Sequence, residues 1–356
     1  MSLKDRLIEQ ITLEGPMSVA DYMTRCLLDP FDGYYIKNVA LGAEGDFITA
    51  PLVSQMFGEM IGVWIIQTWE AMGSPEAFRL VEIGGGDGTL MSDILRVLNQ
   101  APDLRAAAEI VMIEPSPVLR DIQGKVAPDA IFLGSLEDLG DDKPVILIAN
   151  EILDCLPVRQ FGLTEEGWHE RRIGVIDGTL AFGLVEAGPD FIPPLHAEPG
   201  RLYELSMAQA AFATQVARRI RQAGGAALLI DYGRDHPGPG DTLQALYRHE
   251  KADPLAAPGE HDLTVWADFP SVSAAAHDAG VTVSPIVSQG AFLQALGIEA
   301  RLGALTAAHP AKADVLQRQY DRLTAADQMG ELFKVIGFAY PDTIALTGLE
   351  DHAPEA

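Results

Sequence analysis

Apolar residues recur along this chain with two different periods. Leu3, Leu7, Ile8 and Ile11 fall on one face of a 3.6-residue helix, which Gly15-Pro16 stops. Ser18, with Asp21 three residues on, has the capping-box spacing for a second helix. Asp29 to Tyr35 and Gly42 to Pro51 are turn-rich. Phe57, Ile61, Trp64, Ile65 and Trp69 then keep helical spacing through a long apolar segment, and these aromatics read as core.

The rhythm changes after residue 77. Phe78 to Ile83 is a short apolar run closing on glycines, the pattern of a parallel strand buried on both faces. Thr89 to Leu98 follows as a helix, with Leu90, Ile94 and Leu98 on one side. Glu109 to Glu114 predicts a second strand, with a helix from Ser116-Pro117. Ala130 to Leu133 predicts a third strand, and Pro144 to Ala149 a fourth. Strands alternating with helices imply βαβ units and a parallel sheet covered on both faces. The alternation breaks after Leu156-Pro157, and 158–187 reads as short antiparallel strands joined at Asp177-Gly178. Arg201 to Gln222 predicts a helix and Ala226 to Asp231 a fifth strand. The Gly-, Pro- and charge-rich stretch 234–260 predicts a surface excursion. Val281 to Val287 and Leu332 to Ala339 predict the last two of seven strands.

Composition narrows the function. The 356 residues are 48% hydrophobic, enough for a large core, and carry 25 Lys and Arg against 51 Asp and Glu, a formal charge of −26. That charge excludes nucleic acid as the expected partner, because binding it requires cations that displace condensed counterions. It suits a cationic substrate, although general acidity without such a role is the more ordinary reading. The two cysteines, Cys26 and Cys155, lie far apart, which argues for a reducing compartment and against a disulfide framework or structural zinc. With no signal-peptide pattern and no apolar stretch of spanning length, the expectation is a cytoplasmic protein without membrane insertion. No metal is expected, and the sequence allows a homo-oligomer.

The turn after the first strand carries the chemistry. A glycine-rich strand-to-helix turn brings backbone close to a ligand, where a Cβ would collide or forbid the dihedrals. A dinucleotide fingerprint asks for G-x-G-x-x-G/A and an acid about 20 residues on. Here those positions are Gly84, Gly86 and Thr89, and the acid ending the second strand is Glu114, 30 residues after Gly84. An NAD-dependent oxidoreductase is therefore disfavoured.

Glu82-x-Gly84-Gly85-Gly86-x-Gly88 instead resembles motif I of class I methyltransferases, which use S-adenosylmethionine. The resemblance implies a Rossmann-like seven-stranded sheet with helices on both faces, here with an N-terminal helical subdomain and a β-hairpin insertion. It also implies that Glu82 organises the cofactor's amino group, that the glycines pass under its methionine part, and that Glu114 accepts both ribose hydroxyls. A carboxylate suits that last task, since its two oxygens only accept. By the same resemblance Ser116 belongs to the cofactor site, Ser135 and Leu136 contact adenine, and Asn150 faces the sulfonium. Ser135 and Leu136 read equally well as an ordinary N-cap and a core residue.

A wider set of segments is similar to the MidA-like methyltransferases. They are Gly15 to Met23, Asp32 to Tyr35, Gly45 to Pro51, Ser54 to Glu59, Glu114 to Pro117, Asn150 to Pro157, Asp231 to Gly233 and Asp262 to Thr264. Mitochondrial members of that family assist respiratory complex I assembly and resemble protein arginine methyltransferases. The resemblance implies a protein acceptor, arginine favoured and a complex I subunit among the candidates. It further implies an N-terminal segment, 1–75, closing over the cofactor through Gly45, Asp46, Phe47 and Thr49, a stretch that also reads as an ordered Asx/Ser-type turn between helices. The methyltransferase domain is expected over 76–348, with insertions at about 158–200 and 234–262 and a flexible tail at 349–356. Trp266 departs from the family pattern, which bears on the acceptor more than on the cofactor.

Methyl transfer needs an aligned, unprotonated nucleophile, and positioning supplies much of the acceleration. For a guanidinium, carboxylates can hold the cation and polarise one nitrogen. Glu151 and Asp154, three residues apart, face the same way if they open a helix. Asp231 ends the neighbouring fifth strand, at the carboxyl edge where open α/β sheets bind ligands. These three acids are the expected catalytic set, against a reading of Asp154 and Asp231 as caps. His261-Asp262 reads as a cap or surface pair rather than a base. A non-catalytic assembly factor that binds the cofactor is the alternative function.

Overall fold

The computed structural model describes residues 1–37, 49–189, 191–194, 196–247 and 250–350. The chain forms two compact units, each assembled from separated segments. One comprises Ile48–Ile152, Ala210–Asp235 and Phe269–Ala356, and the other Met1–Phe47, Leu153–Gln209 and His236–Asp268.

The first unit is built on a mainly parallel sheet. Of its nine strands, more than the seven expected, those on the main path are β1 (Phe78–Ile83), β2 (Ala108–Ile113), β3 (Ile131–Leu133), β4 (Val145–Asn150), β5 (Gly225–Arg234), β6 (Thr282–Val283) and β7 (Phe333–Tyr340). They lie in the order β3-β2-β1-β4-β5-β7-β6. The parallel registers put Leu80 beside Ile110 and Ile146, and Leu228 beside Ile148. β7 returns antiparallel, with Ile230 opposite Val335. Alternate residues of each strand point to opposite faces. Leu80, Ile110, Ile148, Leu228 and Val335 pack in one cluster with Phe57, Ile61, Trp64 and Ile94 of helices Gln55–Ala71 and Thr89–Leu98. Val81, Val111, Leu147, Leu229 and Ile336, on the other face, are equally buried. Continuous apolar runs are thus explained by burial on both sides.

The second unit has its own core, which includes Leu7, Tyr22, Met23, Val158, Ile173 and Leu263. Helices Leu3–Glu14 and Val19–Leu28 form as their periodicity predicts, and Ser18 Oγ accepts from Asp21 N–H at 3.0 Å. Strands Arg159–Thr164, Gly167–Ile176 and Thr179–Glu186 form an antiparallel meander, the last two joined at Asp177-Gly178 with positive φ at both residues. Met17–Ser18 and Leu202–Leu205 complete its five strands.

Several expectations are corrected. Arg201 to Gln222 is not one helix: Leu202–Leu205 pairs as a strand and the helix is Met207–Ala223. The excursion 234–260 is not simply loop, because Gln244–Tyr247 pairs with both Glu250–Ala252 and Asp262–Thr264. Val281 to Val287 is two short strand segments, Thr282–Val283 and Val287–Ser288, separated at Pro285, which has no N–H for a ladder. No helix follows β4: Glu151 has a positive φ of 55°, so the same-face argument for Glu151 and Asp154 does not hold. No described helix is long and apolar enough to cross a membrane.

Candidate functional site

The turn after β1 is shaped by backbone conformation. Gly84, Gly86 and Gly88 have φ of +66°, +54° and +84°, the left-handed region that disfavours side chains. Gly84 N–H donates to Ile113 O at 3.0 Å, anchoring the turn to the end of β2. Gly88 N–H donates to Gly85 O at 2.8 Å, and Asp87 Oδ1 accepts from Thr89 N–H at 2.9 Å, starting helix Thr89–Leu98. A Cβ on Gly85 would sit 2.9 Å from Glu82 Oε2, so backbone and carboxylate share one small space.

Two buried acids flank the turn. Glu82 is 2% exposed and its Oε2 has no hydrogen-bond partner. Burial, then repulsion from Asp87 and Glu114, pushes its carboxyl up to about 8. Glu114, just beyond β2, is also buried, and burial raises its carboxyl despite the donors it holds. Its Oε1 accepts from Ser116 N–H at 2.8 Å and its Oε2 from Gln123 Nε2 at 3.3 Å. Each carboxylate oxygen has two lone pairs, so both retain acceptor capacity. Ser116 meanwhile caps helix Pro117–Val126.

The remaining predicted residues divide by position. Asn150 and Glu151 end β4 and Asp231 lies in the adjacent β5, which runs on to Arg234 so that Asp231 does not end it. Ser135 and Leu136, by contrast, follow β3 at the sheet's edge, beyond β1 and β2. Ser135 is exposed and donates its hydroxyl to Asp138 in a capping box, while Leu136 is buried. Asn150 Nδ2 donates to Glu151 Oε1 at 3.1 Å, and Asn150 Oδ1 is a buried acceptor without a partner. Glu151 N–H donates to Ile230 O at 2.8 Å, which ties it to β5. Asp231 is fully buried and accepts from Tyr232 N–H at 2.8 Å.

Asp154 belongs to the other compact unit, where its carbonyl accepts from Val265 N–H at 2.9 Å. Thr49 is the N-cap of the short helix Ala50–Val53 and makes no side-chain cap bond. Gly45, Asp46 and Phe47 lie outside the described residues. His261 packs against Tyr247 at 5.1 Å between ring centres, and its Nδ1 is buried without a hydrogen bond. No group of His, Cys, Asp and Glu suited to a metal occurs among the described residues.

Sequence reasoning missed Gln123. It is fully buried, and its Nε2 donates to Gly86 O at 2.9 Å as well as to Glu114. The available signal was its position four residues after Leu119, on the helix's buried face.

These residues fit S-adenosylmethionine. A cationic ammonium beside Glu82 would satisfy its orphaned oxygen and relieve the penalty of burying the carboxylate. The spare acceptor sites on Glu114 suit a diol, and the turn leaves backbone where a side chain would block approach.

The comparisons agree with that chemistry. Residues 60–287 match a family described as "Putative S-adenosyl-L-methionine-dependent methyltransferase". The chain is 35% identical to the mitochondrial protein arginine methyltransferase NDUFAF7 of Danio rerio, over 94% of this chain and 86% of that one. To the Homo sapiens protein of the same name it is 34% identical, over 92% and 81%. A Burkholderia thailandensis protein crystallised with S-adenosyl-homocysteine superposes with a TM-score of 0.83, at 28% identity and covering 96% of this chain and 92% of its own.

Proposed function

The chain belongs to this family of S-adenosyl-L-methionine-dependent methyltransferases, and on that premise we propose that it methylates an arginine side chain of a protein. The observation that carries the cofactor half of this reading is the pairing of Glu82, buried with an unpartnered oxygen, with Glu114, buried with acceptor capacity to spare. The acceptor half draws on the relatives named as protein arginine methyltransferases and on Glu151 at the end of β4. A respiratory complex I subunit is the acceptor to which the family resemblance points.

S-adenosylmethionine supplies an activated methyl group on a sulfonium. The glycine turn, Glu82, Glu114 and Ser116 bind and orient it, with Ser135, Leu136 and Asn150 beyond. Thr49, at the N-cap of Ala50–Val53, is assigned to the cofactor's polar end in this proposal. An arginine stays protonated in water, with a pKa above about 12, so its nitrogen must be polarised rather than simply exposed. Glu151 is assigned that work, holding the guanidinium by charge-assisted hydrogen bonds, with Asp231 of the adjacent β5 as a further acid of the acceptor site. The reducing cytoplasm is the proposed place of action, on the strength of only two cysteines set far apart in the sequence.

Calorimetric titration with S-adenosylmethionine, S-adenosylhomocysteine and NAD tests the cofactor. Binding of NAD alone would overturn the reading. Tritiated-methyl transfer to lysate of a strain lacking the protein tests the enzyme, since a scaffold that only binds the cofactor labels nothing.

A further inference from the structure

We propose that Gln123 is a positioning residue that fixes the ribose-binding carboxylate and the glycine turn to one another through a single side-chain amide. This inference rests on the cofactor reading above. Gln123 lies in helix Pro117–Val126 and is fully buried. Its Nε2 donates to Gly86 O at 2.9 Å and to Glu114 Oε2 at 3.3 Å. The helix backbone is also close, with Gln123 Cα 3.5 Å from where a Cβ on Gly88 would sit.

Both partners of Nε2 are acceptors only, a carbonyl oxygen and a carboxylate oxygen. That decides the orientation of the amide, because turning it over would set Oε1 against two acceptors. In the observed orientation Oε1 is left buried without a hydrogen-bond partner. An unsatisfied buried carbonyl is unfavourable, so the amide is held by its N–H side and not by its oxygen. Neither a hydrocarbon nor a carboxylate of similar size reproduces two donors at this point. The consequence concerns aim rather than charge: Ser116 N–H holds Oε1 of Glu114 and Gln123 holds Oε2, so the carboxylate cannot rotate away from a diol.

The test is calorimetric binding of S-adenosylhomocysteine to the wild type, Gln123→Met and Gln123→Glu, each also in a Glu114→Gln background, with melting temperatures of the unliganded proteins. Gln123→Met is expected to weaken binding about tenfold or more, the usual loss for a hydrogen bond to a charged group. Gln123→Glu is expected to bind worse than Gln123→Met at alkaline pH and to recover relative to wild type as pH falls, since its protonated form donates again. The Gln123→Met loss should shrink when Glu114 is already Gln. Binding by Gln123→Met within about twofold of wild type, or a loss of the same size in both backgrounds, overturns the assignment. A melting temperature lowered without a pH-dependent Gln123→Glu defect also overturns it, by making the residue merely structural. Wild-type protein that binds no S-adenosylhomocysteine would instead sink the cofactor reading, and this inference with it.

Discussion

Ala50 donates its backbone N–H to Glu151 Oε1 at 3.1 Å, joining the start of helix Ala50–Val53 to the end of β4. The same oxygen accepts from Asn150 Nδ2 at 3.1 Å. Glu151→Gln keeps an oxygen for these donors and removes the negative charge proposed to hold the acceptor. The expected outcome is unchanged S-adenosylhomocysteine affinity by calorimetry and tritiated-methyl transfer reduced by about a hundredfold or more. Unchanged turnover with a verified substrate would remove Glu151 from the catalytic set.

Stability should depend on pH through Glu82. Its carboxyl is raised from 4.5 to about 8 by burial, with Asp87 and Glu114 adding to the shift. Between those values the folded protein holds a proton that the unfolded chain has lost. Stability of the unliganded protein therefore declines as pH rises from about 4.5 through about 8, then levels off. Glu114 shifts in the same direction and adds to the slope. Urea midpoints across this range should fall in the wild type and fall less in Glu82→Gln. An identical slope in the variant would show that Glu82 ionises normally.

Gly84 and Gly85 should respond differently to alanine. Gly84 has a φ of +66°, so an alanine there is strained whatever space surrounds it; the atom its Cβ would meet first, Ile152 Cδ1, is a flexible methyl. Gly84→Ala should destabilise by about 1–3 kcal/mol and weaken cofactor binding with it. Gly85→Ala lacks the strain and meets Met112 Cε at 2.7 Å and Glu82 Oε2 at 2.9 Å, so its effect should fall mainly on binding. Chemical denaturation and calorimetry on the pair separate the two outcomes. Equal losses of stability would contradict the distinction.

Arg301 grips Glu59 with both Nε and Nη2 at 2.8 Å, and Glu59 is 3% exposed. Arg96 Nη1 contributes only at 3.5 Å. Arg301→Met therefore leaves a buried carboxylate poorly paired and should destabilise by about 3 kcal/mol, while adding Glu59→Gln should restore part of that loss. Urea unfolding of the single and double variants measures the coupling. A double variant as unstable as the sum of the singles would show that the pair is not coupled.

Much of the sheet is legible in the sequence. β1 and helix Thr89–Leu98 have the predicted limits, because a continuous apolar run and a 3.6-residue stripe are local patterns. The pairing order of the strands, β7 lying between β5 and β6, was not legible, since every buried strand carries much the same apolar code. The short apolar segment Leu202–Leu205 fits either period, and its pairing with Arg159–Thr164 makes it a strand.

The candidate site divides along the same line. Gly84, Gly86, Gly88, Glu82 and Glu114 could be named from one dimension, because a strand-turn-helix confines its ligand contacts to adjacent residues and a known offset. Glu151 and Asp154 could not be related by their spacing, because the positive φ at Glu151 turns the chain out of helix and Asp154 enters another compact unit. Gln123 was invisible for a different reason. A buried amide gains its meaning from the acceptors around it, here Gly86 O and Glu114 Oε2, which are distant in the chain and meet only when β2 and its helix pack against the turn. Local periodicity and turn chemistry thus specify most of the sheet's elements and the residues of the proposed cofactor cradle, whereas long-range packing alone establishes strand order, the makeup of the two units and the partners of each buried polar group.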